Sequence, residues 1–165
     1  MTTSGWRRAA ALGALLIAGA PGAGAETLTP DRARAAIRPL YEALTAAPGR
    51  DAAALVLSAT APDWVSCGGN DACSPREKAA AAIAGFAKAV PDLKWEIKEV
   101  LVSGDRVVVR GEATGTPAGA FMGVPHGGKS FRIMSIDVHT VVNGKLARSY
   151  HIEDWMGAVR QLSAK

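Results

Sequence analysis

Three side chains that can move protons lie close together near the carboxyl end of the chain: Asp137, His139 and His151. The pKa of an imidazole is near neutrality, and a neighbouring carboxylate can orient the ring or raise its basicity. This set of residue types therefore suits general acid–base chemistry. The segment that contains them is typical of two β-strands joined at Asn143-Gly144, a dipeptide that strongly favours a hairpin turn.

The pairing of these two strands decides whether the carboxylate and an imidazole meet. Side chains alternate along a strand, so Asp137 and His139 share one face of the first strand. A one-residue bulge at the Asn143-Gly144 turn pairs Asp137 with His151, whereas a plain two-residue turn pairs Ile136 with His151. The sequence leaves both registers open.

Residues 1–25 have the pattern of a secretory signal peptide. A basic start at Arg7 and Arg8 precedes a short apolar core and a small-residue cleavage site at Ala23-Gly24-Ala25. The apolar run is too short to span a bilayer, although an uncleaved anchor or a buried helix is the alternative. We predict a single exported domain over residues 26–165, periplasmic or extracellular, with no membrane association after cleavage.

Length and charge limit the class of protein. The chain has 165 residues, which is enough for one domain with its own core. Loss of a segment that contains Arg7, Arg8 and no acidic residue would lower the formal net charge from +4 to +2. This excess of positive charge is small and scattered along the sequence, which argues against nucleic acid as a partner.

Cys67 and Cys73 are the two cysteines of the chain. In an oxidising compartment, two cysteines so close in sequence favour a disulfide that closes a short loop. A metal site would need further ligands, and only Asp63 and Asp71 stand nearby. A redox-active pair usually has two intervening residues, whereas this pair has five. We therefore predict a structural disulfide and no metal.

Hydrophobic periodicity predicts helices, then strands, upstream of the hairpin. Helices are expected over about 29–47, 51–57 and 74–90, strands over 94–103 and 106–116, and a closing helix over 155–162. Residues 61–64 are expected to form a turn, and residues 74–77 a capping box. Helices segregated from four antiparallel strands predict an α+β domain.

Five short stretches between positions 91 and 155 form a combination. They are 91–95 (PDLKW), 104–111 (GDRVVVRG), 119–125 (GAFMGVP), 144–145 (GK) and 153–155 (EDW). This combination resembles the SnoaL-like polyketide cyclases and ester cyclases. The resemblance implies the fold of nuclear transport factor two, a cone-shaped curved antiparallel sheet packed against N-terminal helices around a deep, mostly apolar pocket. It also implies intramolecular aldol chemistry without metal or organic cofactor.

The resemblance assigns site residues one by one. Counted from the Gly144-Lys145 turn, the family's catalytic aspartate falls on His151 and its helper histidine falls on Asp137, so the two residue types are exchanged. We expect this couple to be catalytic. The expected substrate contacts are the polar residues His139, Ser135, Ser149 and Ser66 and the apolar walls Trp64, Phe121 and Met122. His126 is expected in a loop at the pocket mouth.

The hairpin has two faces, and two orientations are open. One face carries Asp137, His139 and His151; the other is mostly apolar, with Ile136, Val138, Val142, Leu146, Tyr150 and Ile152. Packing the apolar face onto the helices would leave the acid–base residues in water. The family geometry reverses this orientation and leaves an exposed apolar face, which predicts a homodimer or homotetramer through the outer sheet face.

Two functions from different classes remain open. The first is an exported enzyme of the resembling family that acts on a small apolar carbonyl compound by acid–base chemistry. The second is a non-catalytic protein that binds a small apolar molecule in the same pocket, since fold does not determine function. A third, an epoxide hydrolase, would need a pocket arginine, but Arg132 and Arg148 fall on the opposite face.

Overall fold

The computed structural model describes residues 27–164, so the predicted signal peptide lies outside the described residues. Four helices and six strands form this part of the chain. In order they are α1 (Pro30–Ala43), α2 (Ala52–Ala59), β1 (Thr60–Cys67), β2 (Cys73–Pro75), α3 (Arg76–Ala89), β3 (Lys94–Ser103), β4 (Arg106–Gly115), β5 (Phe131–Val142), β6 (Lys145–Glu153) and α4 (Trp155–Ser163). The predicted α+β class is confirmed.

The strands form one curved sheet in the order β2-β1-β6-β5-β4-β3. Strands β3 to β6 are the predicted antiparallel meander, while β1 runs parallel to β6 and β2 antiparallel to β1. The expected turn at 61–64 was therefore wrong, because β1 runs through it. Pro62 obscures this strand in the sequence. The sheet accommodates Pro62 where the β1–β6 register shifts between Thr60 and Val65.

Side chains cap three of the helices. Thr29, Asp51 and Asp154 each accept a hydrogen bond from a first-turn backbone N–H group. The expected capping box at 74–77 was wrong. Ser74 lies in β2 opposite Ser66, and α3 begins at Arg76 without a side-chain cap. Ser74 pairs within the sheet and therefore does not cap α3.

The hairpin turn sets the register of the site. Asn143 and Gly144 have φ values of 50° and 72°, as a two-residue hairpin turn requires. Beyond it, Val141 pairs with Leu146 but Thr140 pairs with Arg148. The extra residue is Ala147, so the bulge lies within β6 rather than in the turn itself. Because of this bulge, Asp137 pairs with His151.

The polar face of the hairpin points inward. Asp137 is 5% exposed and His139 1%, whereas Met134 is 55% exposed and Ile152 64%. The apolar outer face predicted from the family geometry is thus present. Simple alternation placed Leu146 on the outer apolar face, which was wrong. Leu146 is fully buried, because the bulge at Ala147 reverses which side chains face inward at the start of β6.

The core lies between the inner face of the sheet and the helices. Four aromatic rings from separate elements close one end of it: Phe86, Phe121, Phe131 and Trp155, with centroids 5.3 to 6.1 Å apart. Within the described residues no helix is long and apolar enough to cross a membrane. The inner face and the helices enclose the cavity that contains the acid–base residues.

Candidate functional site

A cavity of about 420 Å³ opens between the helices and the inner face of the sheet. Apolar and aromatic side chains make up much of its wall: Leu40, Leu44, Trp64, Ala79, Ala82, Ile83, Phe86, Trp95, Met122 and Trp155. Its ionisable lining residues are Asp137, His139, His151 and Glu153. No lysine or arginine is among the described lining residues. A volume of this size suits a small organic molecule.

Asp137 is held from one side only. The Tyr41 hydroxyl donates to Asp137 Oδ2 at 2.9 Å, and the Ser135 hydroxyl lies 3.4 Å from the same oxygen. Ser135 in turn accepts a hydrogen bond from Trp95 Nε1 at 3.2 Å. All hydrogen bonds from described residues therefore end on Oδ2, which leaves Oδ1 for a molecule in the cavity.

His139 lies behind Asp137 in the same network. Its Nε2 is 3.3 Å from the Tyr41 hydroxyl, and its Nδ1 is 2.8 Å from Ser149 Oγ. Ser149 Oγ also accepts from Trp64 Nε1 at 3.0 Å. Both ring nitrogens of His139 thus contact protein groups, so the residue is a poor candidate for direct proton exchange with a substrate.

The ring of His151 forms its hydrogen bond with a different carboxylate from Asp137, its partner in the strand register. Its Nδ1 lies 2.8 Å from Glu153 Oε1, and Trp155 Nε1 donates to Glu153 Oε2 at 3.0 Å. Residues 151 and 153 share a strand face, so Glu153 orients the ring where Asp137 was expected to do so. With Nδ1 engaged, Nε2 of His151 is the nitrogen available to a ligand.

The environment moves the pKa of each group differently. Burial raises the pKa of Asp137 to about 6, against the opposing effect of the Tyr41 hydrogen bond. Burial lowers the pKa of His139 to about 4, so this ring is neutral at pH 7. The hydrogen bond that His151 donates to Glu153 raises the pKa of His151. Burial also raises the pKa of Tyr41, which therefore stays a proton donor.

The predicted disulfide forms one wall of the cavity. Cys67 and Cys73 are bonded and pair across β1 and β2. The loop that they close contributes Gly68 and Ala72 to the lining. A Cβ atom on Gly68 would lie 3.3 Å from Cε1 of His151, so the loop backbone lies directly against this imidazole.

The other predicted site residues divide into two groups. Ser66, Trp64, Ser149 and Met122 line the cavity. Met122 lies at the tip of a tight turn with a φ of 48°, an uncommon conformation for a residue other than glycine. Phe121 and Ser135 lie behind the wall, in the aromatic cluster and under Trp95 respectively. His126 lines a separate small cavity in the 116–129 loop.

Four residues of the hydrogen-bond network around the cavity were missed in the sequence: Tyr41, Trp95, Glu153 and Trp155. Tyr41 lies in the buried stripe of α1, and its partner Asp137 is 96 positions away, so no local pattern connects them. Trp95 is likewise 40 positions from its partner Ser135. Glu153 could have been found, because the alternation that places His151 on the inner face places Glu153 there too.

The comparisons with known proteins concern the family and the fold. A family model described as SnoaL-like polyketide cyclase matches residues 40–162. A candidate SnoaL-like polyketide cyclase from Jannaschia sp. CCS1 shares the fold with a TM-score of 0.71 and 23% identity, over 83% of this chain and 96% of that one. No curated protein sequence matches this chain.

Two further solved structures are more similar in sequence. TsrD from Streptomyces laurentii is 28% identical with a TM-score of 0.65, over 80% of this chain and 98% of that one. IdmH from Streptomyces antibioticus, a candidate polyketide cyclase, is 26% identical with a TM-score of 0.68, over 80% and 99%. The family model covers about three quarters of this chain.

Proposed function

This chain belongs to the SnoaL-like polyketide cyclase family, and we propose that it moves a proton next to the carbonyl group of a small, largely apolar compound. The observation that carries the proposal is the pairing of Asp137 with His151 across β5 and β6, on the wall of a mostly apolar cavity. Side chains paired in this way have Cβ atoms roughly 4.5–5.5 Å apart, so both can reach one small molecule.

The hydrogen bonds and pKa directions assign a role to each residue. Asp137 is the base, because its donors occupy Oδ2 and leave Oδ1 as an acceptor towards the cavity. Its raised pKa, about 6, makes it a stronger base than an ordinary carboxylate. His151, whose protonated form is favoured by its hydrogen bond to Glu153, is the donor to the carbonyl oxygen.

The reaction is balanced without a co-reactant. Asp137 takes a proton from the carbon next to the carbonyl, and His151 donates a hydrogen bond to the developing enolate oxygen. The enolate carbon attacks a second carbonyl group in the same molecule, which forms one carbon–carbon bond and one alkoxide. The alkoxide takes a proton from His151. The proton held by Asp137 then passes across the cavity to His151, so that both residues return to their starting protonation states. The product is a ring with the atoms of the substrate.

The charge of the cavity favours an uncharged substrate. Two carboxylates, Asp137 and Glu153, line it, while His151 supplies one positive charge and the described lining contains no lysine or arginine. A substrate with a free carboxylate or phosphate would meet net negative charge in a poorly solvated space. Neutral ketones and esters meet no such repulsion.

We also propose that the protein acts outside the cytoplasm. The support is the signal-peptide pattern of residues 1–25 and the Cys67–Cys73 disulfide, a bond typical of oxidising compartments. The amino-terminal sequence of the protein isolated from its native cell should begin at Glu26. An intact residue 1–25 segment on the folded protein would contradict export with cleavage.

Deuterium exchange tests the proton transfer before the natural substrate is known. Neutral apolar diketones in D₂O should exchange the hydrogen next to the carbonyl faster with the protein than without it, as followed by ¹H NMR. Asp137→Asn and His151→Ala should each lower this rate by roughly 100-fold or more. The rate should rise as the pH passes about 6, where Asp137 ionises, and fall above the raised pKa of His151.

Matched variants separate chemistry from folding. Asp63→Asn and His126→Ala change the same residue types outside the cavity and should keep the full rate. An active His151→Ala protein would remove the assignment of His151. Saturable binding of a diketone with no exchange above the buffer rate would instead show a non-catalytic binding protein.

A further inference from the structure

We propose that Tyr41 and His139 are positioning residues, which hold Asp137 so that one chosen carboxylate oxygen faces the substrate. Neither side chain offers a free polar group to a ligand, since the Tyr41 hydroxyl and both ring nitrogens of His139 contact protein groups. The inference rests on the proposed function, in which Asp137 is the base. It extends that function to two residues that act through Asp137 and take no part in the reaction themselves.

The first step is the control of one rotation. The carboxyl group of an aspartate turns easily about its last bond, because that torsion has broad, roughly two-fold preferences. The Tyr41 hydroxyl at 2.9 Å and the Ser135 hydroxyl at 3.4 Å both contact Oδ2. With Oδ2 held, Oδ1 has one orientation towards the cavity, and less ordering of the base remains to be done when the substrate binds.

The second step is the control of the Tyr41 proton. A phenol has a single proton, which Tyr41 can give either to Asp137 or to His139 Nε2. When Asp137 is ionised the proton goes to the carboxylate, so His139 Nε2 must carry a hydrogen and donate it to the Tyr41 oxygen. A hydrogen at Nε2 of His139 therefore supports donation from Tyr41 to Asp137.

The third step concerns the other ring nitrogen of His139, whose surroundings permit this tautomer. Trp64 Nε1 can only donate, so it occupies Ser149 Oγ as an acceptor at 3.0 Å. The Ser149 proton is then free to point at His139 Nδ1, 2.8 Å away. A neutral ring that accepts at Nδ1 carries its hydrogen at Nε2. In this series of hydrogen bonds each donor thus points the same way, from Trp64 through Ser149, His139 and Tyr41 to Asp137.

The charged and titratable groups around Asp137 are few. Tyr41 faces it from α1, His139 from its own strand, and His151 and Glu153 from β6. Its partner across β4 is the apolar Val109. Of these groups, Tyr41 alone both contacts Asp137 and donates to it, so removal of its hydroxyl should have a measurable effect on the titration of that carboxyl.

The test is a ¹³C NMR titration of the Asp137 side-chain carboxyl in the purified protein, assigned by its loss in Asp137→Asn. In Tyr41→Phe the pKa of Asp137 should rise by roughly one unit, because a donor to the ionised form is lost. Tyr150→Phe is the matched control, since this second tyrosine of the chain is on the outer face. The titration of Asp137 should not move in the control.

A second pair of variants tests His139. His139→Phe removes the donor to Tyr41 and should move the Asp137 titration upward, while His139→Gln keeps an N–H group and should restore it at least in part. Deuterium exchange in Tyr41→Phe should be slower by roughly 10-fold or more, with its acid limb displaced to the same higher pH.

The outcomes distinguish this inference from the proposed function. An Asp137 titration that is the same in wild type and Tyr41→Phe, in a folded protein, overturns the positioning role even if exchange activity is present. A shifted titration combined with full exchange activity in Asp137→Asn overturns the proposed function and leaves the hydrogen-bond chain intact. Equal titrations in His139→Phe and wild type overturn the role of His139.

Discussion

At the scale of single residues, the cavity keeps a carboxylate where burial opposes its charge. Asp137 is 5% exposed, and desolvation raises its pKa from 3.8 to about 6 despite the Tyr41 hydrogen bond. A protein selected only for stability would have a neutral residue here. We propose that the charge is retained for the chemistry of the site, at a cost in the stability of the fold.

Asp137→Asn should therefore stabilise the protein at neutral pH. The folded state holds the Asp137 proton up to about pH 6, whereas the unfolded chain releases it near 3.8. Ionisation of Asp137 thus lowers the stability of the wild type as the pH rises through this window. The neutral amide of Asp137→Asn does not ionise, so the variant does not lose stability in this way. We expect a gain of about 2–3 kcal/mol at pH 7 and almost none at pH 4.

Urea unfolding at the two pH values measures this difference. Asp63→Asn, on the exposed part of β1, is the control and should change stability little at either pH. A stability for Asp137→Asn equal to or below that of the wild type at pH 7 would contradict the expected effect of burial on Asp137.

At the scale of elements, the site depends on two local departures from regular structure. The Ala147 bulge pairs Asp137 with His151 and turns Leu146 into the core. The Cys67–Cys73 disulfide joins β1 to β2 and holds Gly68 against the His151 ring. The bulge determines which residues face the cavity, and the disulfide determines how closely the opposite wall approaches them.

Removing the disulfide should weaken both the fold and the cavity wall. In the chain-entropy model a cross-link over so short a loop stabilises the protein by about 2–3 kcal/mol. Cys67→Ser/Cys73→Ser should lose this amount in urea unfolding and bind an apolar ketone less tightly. Reductant should lower the urea concentration at the unfolding midpoint of the wild type and leave that of the double serine variant unchanged. Equal midpoints for both proteins would contradict a stabilising role.

At the scale of the whole molecule, the sheet has an unusual outer surface. Five large apolar side chains of the hairpin are exposed on it: Met134, Ile136, Val142, Tyr150 and Ile152. Contiguous apolar surface of this kind is uncommon on soluble monomers. A second copy of the chain would present the same apolar surface, so we expect a homodimer that packs the two sheets back to back.

Ile152→Glu should convert such a dimer to a monomer, because it places a charge within the apolar contact. Light scattering after size-exclusion chromatography gives the mass directly. Ala81→Glu, on the exposed side of α3, adds the same charge elsewhere and should leave the dimer intact. A wild-type protein that is monomeric at the highest concentration measured would contradict the proposed assembly.

The sequence by itself determined the features that short-range chemistry controls. The Asn143-Gly144 turn, the caps Thr29 and Asp154, and the alternation that puts Asp137 and His139 on one face all depend on neighbours a few residues apart. The cysteine pair is also local, since six positions separate its members. Such features can be predicted because sterics and hydrogen bonding within one turn or strand determine them.

The tertiary structure decided which distant groups meet. Tyr41 reaches Asp137 across 96 positions, and β1 pairs with β6 although Pro62 disfavours a strand. The Ala147 bulge is a further example, because both hairpin registers satisfied the local pattern. These choices depend on which arrangement best fills the core and satisfies buried polar groups, and that depends on packing over the whole chain rather than on any one segment.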